Sequence, residues 1–483
     1  MRQLSASTLA DVPATVARPR YDPATISIGV VHFGPGAFHR AHQAAYFDAL
    51  LADDPRWGIA AVSLRTRGVV DALAAQDGLY SLTTLEEATA ARVIAAHRAW
   101  LGPDDGARTL ALLAQETVHL VTTTVTEKGY CLSGDGRLDM HHPDIVSDLA
   151  ALAAPVPAFP RSVIGWIVAG AAARGAAGLP PFAVLCCDNM PGNGDRLRAA
   201  TIAFARHLDT GLADWIAAHF AFPNTMVDAI TPATDEAHRE RAAALLGMED
   251  AAAVQREAFS QWVIEDMALP GAPALDSVGV VRTADVAAYE RAKLRMLNGA
   301  HSALAYLGIA RGHVSVADAM RDGPLATLVE AMVRQDVIAT LVPTPGLDSA
   351  RYADDIFARF RNPAIHHLLR QIAWDGSQKL PYRILDTLMD ARALGRPIDR
   401  LLLPVAGWMR FVADTTQGGG TLVDPLADRL AHIAATAPDR PALIDGLLRV
   451  EQIFPAALAD DAAIHRGLAT AMDRLDGNLA PPS

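Results

Sequence analysis

The chain has 483 residues, 51% of them hydrophobic and 20% charged, with a formal net charge of -12 at pH 7. That length gives room for two or three domains with cores of their own, and the acidic balance disfavours nucleic acid, whose phosphates are bound through clustered Lys and Arg. No apolar run reaches the roughly 18 residues of a membrane-crossing helix, and MRQLSASTLADVPATVARPRYDP lacks a signal-peptide core, so a cytoplasmic protein without a membrane partner is expected.

In chain order, the first 20 residues read as a loosely held tail, as does the closing GNLAPPS. From Ile26 onward, short apolar runs alternate with helical patterns. Ile26 to Phe33, Ile59 to Leu64, Val118 to Val125 and Phe182 to Cys187 are predicted strands; Arg40 to Ala52, Val69 to Ala75 and Arg196 to Leu208 are predicted helices. That alternation predicts an α/β Rossmann-like N-terminal domain with a mostly parallel sheet, over residues 1–286. After about Asp285, segments such as AYERAKLRMLNGAHSALAYLGIA carry apolar residues at helical spacing and strand candidates become rare, which predicts a mostly α-helical C-terminal domain over residues 287–483.

The first strand runs into IGVVHFGPGAFHRAH, where Gly34 and Gly36 stand between a buried strand and a helix. Missing Cβ atoms at such a turn let a pyrophosphate approach the N–H groups of a helix N-terminus. His39 stands where a third glycine would permit close strand-to-helix packing, so the residues alone leave open a dinucleotide site or a packed turn without ligand. The second strand ends near Ser63, Arg65 and Arg67, where NAD-selective folds place an acidic residue for the ribose. Arg65 either meets the 2′-phosphate of NADP or is a solvated loop charge.

Glu127 follows a predicted strand in TVTEKGYC, and Asp188 and Asn189 follow another in LCCDNMPGNG, at the end of a parallel strand where α/β sheets place their ligands. An Asx-turn explains the second stretch equally well. Asp228 lies in the turn-rich FPNTMVDAITP. Three cysteines, Cys131, Cys186 and Cys187, have no zinc-type spacing, so no metal is expected.

The densest chemistry lies in YERAKLRMLNGAHS. On an ideal helix turning about 100° per residue, with Lys293 at zero, Glu290 falls near 60°, His301 near 80° and Asn298 near 140°. Against a cleft, Lys293 can act as acid or base, Glu290 can pass the proton on, Asn298 can donate to an alkoxide and His301 to a neighbouring hydroxyl. Against solvent, the same residues are a surface ion pair and backbone caps.

Together GPGAFHRAHQAAY, TVTEKGYC, CDNMPGNG, FPNTMVDAITP, QWVIED and KLRMLNGAHS resemble the polyol-specific long-chain dehydrogenase/reductase, or mannitol dehydrogenase, family over residues 26 to beyond 411. The resemblance implies a nicotinamide dinucleotide, NAD rather than NADP, on the N-terminal domain and a sugar acid or polyol held between it and a helical domain. It implies Gly34, Gly36, Phe38, His39 and Arg40 at the cofactor, with FHR in place of the third glycine. Lys293 matches the family's catalytic lysine, Asn298 and Asn189 its oxyanion-holding asparagines and His301 its substrate-binding histidine; Asp228, Glu127 and Glu290 match positions on the substrate pocket or proton route. The family usually reads VDRI where this chain has Ala229 after Asp228.

Within the family, TEKGYC, DGSQKLP and VAGWMRF are more similar to the branch that interconverts D-fructuronate and D-mannonate than to the mannitol branch. Lys379, Arg383, Arg359 and Arg361 offer cations to a carboxylate, or are solvated surface charges. The expected assembly is a monomer or small homo-oligomer.

Overall fold

The computed structural model describes residues 2–86, 89–154, 158–266 and 271–477. The chain divides into two compact units, Met1–Ala287 and Ala288–Ser483.

The first unit is built on a five-stranded sheet in the spatial order His97–Leu101, Gly58–Val62, Ile28–Phe33, Leu120–Thr123, Ala183–Cys186, every neighbouring pair parallel. Numbered along the chain, the order is 3-2-1-4-5, a doubly wound sheet whose direction reverses between Ile28–Phe33 and Leu120–Thr123. Both faces are covered, so alternate residues serve different cores. Val31, Phe33, Val121 and Val184 pack with Trp166 and Phe204 on one face; Val30, Ile59, Leu120 and Leu185 pack with Phe47, Trp57 and Trp262 on the other. The near-continuous apolar runs of these strands follow from that double burial.

Two smaller sheets flank this one, both of mixed direction: Val281–Thr283, Gln261–Glu265 and Thr225–Asp228 in one, Ala90–Ile94, Tyr80–Leu85 and Val254–Glu257 in the other. Sequence reading placed none of these, nor the edge strand His97–Leu101. The N-terminal residues also differ from expectation. Leu4, Val12 and Val16 are buried, the Leu4 N–H donates to Glu249 O at 2.9 Å, and Ala17 bridges to the strand Ala90–Ile94 through Ala17 N–H to Ala91 O at 3.1 Å and Val93 N–H to Ala17 O at 2.8 Å. The stretch is part of the first unit and not a loose tail. Of the expected C-terminal tail, residues 478–483 lie outside the described residues.

The second unit is helical, with no strand after Thr283 among the described residues. Its centre is the helix Gly299–Ala310, all but its last two residues buried, packed against the long helix Asp399–Gln417. Gly407 permits that approach, since a Cβ there would lie 3.1 Å from the Tyr306 Cβ. The expected α/β unit followed by a helical one is thus what the chain forms. No helix among the described residues is long and apolar enough to cross a membrane.

Candidate active site

In the first unit the glycine turn sits at the switch point of the sheet. Gly34 has φ +90°, and a Cβ there would run into the Thr124 carbonyl oxygen, so only glycine fits. Its own carbonyl accepts from Thr124 Oγ1 at 2.7 Å, which fastens the turn to the neighbouring strand end. Gly36 precedes the helix Ala37–Ala41, whose first turn has no side-chain cap; a Cβ on Gly36 would meet nothing closer than 3.9 Å. The turn therefore presents an open face with uncapped N–H groups, which fits a dinucleotide phosphate.

His39 and Arg40 are both buried, whereas Gly36 is exposed. His39 is wholly buried, its ring stacked on His32 with centroids 3.3 Å apart and planes 13° apart, and its Nε2 hydrogen-bonded to His97 Nε2 at 3.1 Å. Two flat rings in contact bring helix and strand together where a glycine otherwise would. Burial holds all three imidazoles neutral, with His32 and His97 lowered to about 3 and His39 well below its ordinary value. Arg40 lies behind the turn, its Nε donating to Pro35 O at 3.2 Å and Nη1 to Ala252 O, and braces the loop. Phe38 is half-buried against His42, ring centroids 5.0 Å apart.

Arg65 is ion-paired at the surface of the first unit. Its Nη2 lies 2.5 Å from Asp144 Oδ2, and that hydrogen bond holds the Asp144 carboxyl below its usual range. Asp144, Cys131 and His142 bring one potential ligand atom each to within 4.8 Å of one another, a grouping that spacing along the chain did not announce. The Arg65 guanidinium already takes this carboxylate.

Asp188 organises the other strand ends. Its carboxylate accepts from Val125 N–H at 2.9 Å, Thr126 N–H at 3.2 Å and Tyr130 Oη at 2.6 Å, which ties the Glu127 loop to the Asn189 loop. Thr126 stands at φ +66°, a strained conformation for a β-branched residue that this clamp sustains. Asn193 pins the same loop from beneath: its Nδ2 donates to Cys186 O at 2.9 Å and to Asp188 O at 3.1 Å, and its Oδ1 accepts from Thr225 N–H at 2.9 Å. Asn189 and Glu127 are exposed at this edge, and Asp228 is buried at the end of its strand. Sequence reading did not assign roles to Asn193 or the Asp188 clamp; their repeated short polar residues after strands were the available signal.

In the second unit, Lys293 to Asn298 form a π turn between the helices Val286–Ala292 and Gly299–Ala310, with the Gly299 N–H reaching Leu294 O five residues back. The expectation of one regular helix is corrected here. In a π register residues five apart take the place that residues four apart take on an α-helix, so Lys293 and Asn298 share a face. Glu290, Lys293 and Asn298 are all half-buried.

His301 is 9% exposed, its ring 4.3 Å from Phe360 and 5.4 Å from His367. Burial, reinforced by His367, Arg359 and Arg383, keeps it neutral, and its buried Nε2 has no hydrogen-bond partner. Arg383 donates from Nη1 to Ser302 Oγ at 3.3 Å, while its buried Nε is unpartnered. Lys379 donates to Trp374 O at 2.6 Å, and burial next to Arg383 lowers its pKa. Arg361 is taken by Glu330. A cavity of about 230 Å³ in this unit, walled by Trp374, Trp408, Phe411 and Leu430, contains none of the candidate side chains.

A doubly wound parallel sheet with a glycine turn at its switch point, followed by a helical unit carrying lysine, asparagine and histidine on one segment, defines a Rossmann-type dehydrogenase. Residues 28–277 match the mannitol dehydrogenase Rossmann domain and residues 285–476 the mannitol dehydrogenase C-terminal domain, and the chain belongs to the mannitol dehydrogenase family. It is 38% identical to a D-mannonate oxidoreductase of Escherichia coli strain K12, over 94% of this chain and 95% of that one. It is also 38% identical to a mannitol 2-dehydrogenase of Cereibacter sphaeroides, over 89% and 90%. Among solved structures, the Pseudomonas fluorescens mannitol 2-dehydrogenase in ternary complex with NAD and D-mannitol is similar with a TM-score of 0.79 and 37% identity, over 99% of this chain and 97% of that one. The protein is therefore an oxidoreductase of a family of dehydrogenases acting on secondary alcohols.

Proposed function

We propose that this chain is an NAD-dependent fructuronate reductase that interconverts D-fructuronate and D-mannonate in the cytoplasm. The observation that carries the substrate choice is the setting of His301: a buried, unpartnered Nε2 and an unpartnered Arg383 Nε, with Arg359 and His367 close enough to hold the imidazole neutral. A buried guanidinium N–H left without a partner beside a neutral imidazole suits a substrate that brings a carboxylate. A second reading, mannitol 2-dehydrogenase, is favoured by the likeness to the enzyme solved with NAD and D-mannitol.

In this reading the open face at Gly36 would hold the pyrophosphate of NADH, which when bound would supply a hydride to the carbonyl carbon of the substrate. As the C=O electron pair moves onto oxygen, the Asn298 amide donates to the developing alkoxide. The Lys293 ammonium then gives that oxygen a proton, so the ketone becomes a secondary alcohol and the lysine a neutral amine. Glu290 returns a proton to Lys293 from solvent, and the reverse reaction runs the same path backwards. His301 hydrogen-bonds a neighbouring hydroxyl, and Arg383 and Lys379 face the carboxylate. The proton carrier is an amine, with no metal in the role.

NADH oxidation by the purified protein with D-fructuronate and with D-fructose tests the assignment. A higher kcat/KM for D-fructuronate supports it, and a clear preference for D-fructose overturns it in favour of the second reading.

A further inference from the structure

Three helical stretches of the second unit slip into π register: Lys293–Asn298, Met332–Val337 and Pro381–Leu385. Each ends with an N–H bonded five residues back, Gly299 to Leu294, Ile338 to Val333 and Asp386 to Pro381. Such turns are rare, and each needs a local cause. Pro381 supplies one: without an N–H it cannot continue the α ladder of Gly376–Leu380. The turn Lys293–Asn298 contains neither proline nor glycine, so its register has to be imposed by its surroundings.

Two contacts impose it. The Pro381–Leu385 turn packs against it, and a Cβ on Gly299 would lie 2.8 Å from the Arg383 carbonyl oxygen, so that glycine is what lets the two turns meet. The second contact is made by Arg295, which falls two residues after Lys293 and points inward, its side chain 10% exposed. Its Nη1 lies 2.6 Å from Asp390 Oδ2 and 3.4 Å from Thr340 Oγ1. On a regular α-helix Lys293 and Asn298 would diverge by about 140°; in the π register they point together.

We propose that the Arg295–Asp390 ion pair is a positioning element for the reaction: it clamps the back of the π turn and so holds Lys293 and Asn298 on one substrate oxygen. The inference rests on the reading of Lys293 as acid/base and Asn298 as alkoxide donor. Neither Arg295 nor Asp390 touches substrate. Their effect is carried by the angle between the two side chains that do.

The test is Asp390→Asn in the full-length protein with NADH, assayed with whichever of D-fructuronate and D-fructose the wild type reduces faster. The clamp predicts a kcat lowered about tenfold or more with the KM for NADH unchanged, because misplacing reacting groups costs rate and not nucleotide binding. Asp390→Glu, which keeps the charge, restores most of the rate. A kcat within about twofold of wild type for Asp390→Asn, whatever its melting temperature, overturns the proposal. If Asp390→Asn does not fold, Arg295→Lys decides in the same way: a several-fold loss of kcat at unchanged KM for NADH supports the clamp, and a wild-type kcat sinks it. Lys293→Ala measured alongside separates the two levels. An active Lys293→Ala refutes the underlying reading, whereas an inactive one beside a normal Asp390→Asn refutes the clamp alone.

Discussion

His39 lies flat on His32, ring centroids 3.3 Å apart, at the position where a dinucleotide-binding turn ordinarily carries its third glycine. The stack joins the first helix to the first strand through two side chains instead of through bare backbone, and His97 closes it from the edge strand at 3.1 Å. In the proposed reading the dinucleotide face is left to Gly34 and Gly36, whose surroundings give them different sensitivities to substitution.

Gly34→Ala and Gly36→Ala should separate folding from binding. At Gly34 a Cβ meets the Thr124 carbonyl at φ +90°, so the alanine variant is expected to lose about 2 kcal/mol or more of stability. Gly36→Ala has open space around it and should melt like wild type, yet bind NADH about tenfold or more weakly, because its methyl occupies the face a pyrophosphate needs. Melting curves and NADH titration by fluorescence distinguish the two; a Gly36→Ala protein with unchanged affinity places the nucleotide elsewhere.

The three buried histidines predict acid sensitivity of the first unit. His32 and His97 titrate near 3 in the folded protein and near 6.5 in the unfolded chain, with His39 shifted the same way. The unfolded chain therefore binds more protons below pH 6.5, and stability present above that value is lost as pH falls from about 6.5 towards 3, by roughly 1 kcal/mol per pH unit for each group. His97→Gln should flatten part of the fall in melting temperature between pH 7 and pH 5. A variant as steep as wild type would show that these rings do not set the acid limb.

Arg383 should discriminate between substrates. A charge-assisted hydrogen bond to a carboxylate is worth enough that Arg383→Met is expected to lower kcat/KM for D-fructuronate about 10- to 100-fold while changing the value for D-fructose much less. An equal loss with both substrates would mean that the guanidinium, through Ser302, only supports the fold.

Asp188→Asn probes the clamp on the strand ends. Asp188 holds the Val125 and Thr126 N–H groups and the Tyr130 hydroxyl, so the variant should relax Thr126 from its strained conformation and lower kcat about tenfold or more. Unchanged kcat would detach that loop from the reaction.

Much of this architecture is legible before any coordinates. Strands buried on both faces leave apolar runs, which is why Ile28–Phe33, Gly58–Val62, Leu120–Thr123 and Ala183–Cys186 stand out within a residue or two of their bounds. The edge strand His97–Leu101 does not, because Arg98, Ala99 and Trp100 are only half-buried and break the run. Leu4, Val12 and Val16 lie among polar residues, and their stretch is held by residues some 75 to 245 positions away, contacts that no local pattern encodes. His39 illustrates the same limit, since its partners His32 and His97 meet it only in three dimensions. The lysine segment was visible as chemistry, but its π register was not, because KLRMLN carries no breaker and the cause, Asp390 and the Arg383 backbone, lies almost a hundred residues on.

The most direct measurement is the turnover of Lys293→Ala beside its affinity for NADH. The account predicts a kcat lowered at least about 100-fold, consistent with loss of a general acid/base, with NADH bound as tightly as by wild type and the reaction partly rescued by added small primary amines. Ordinary turnover in that variant would contradict the account at its centre, because the proton would then reach the substrate oxygen from some other group.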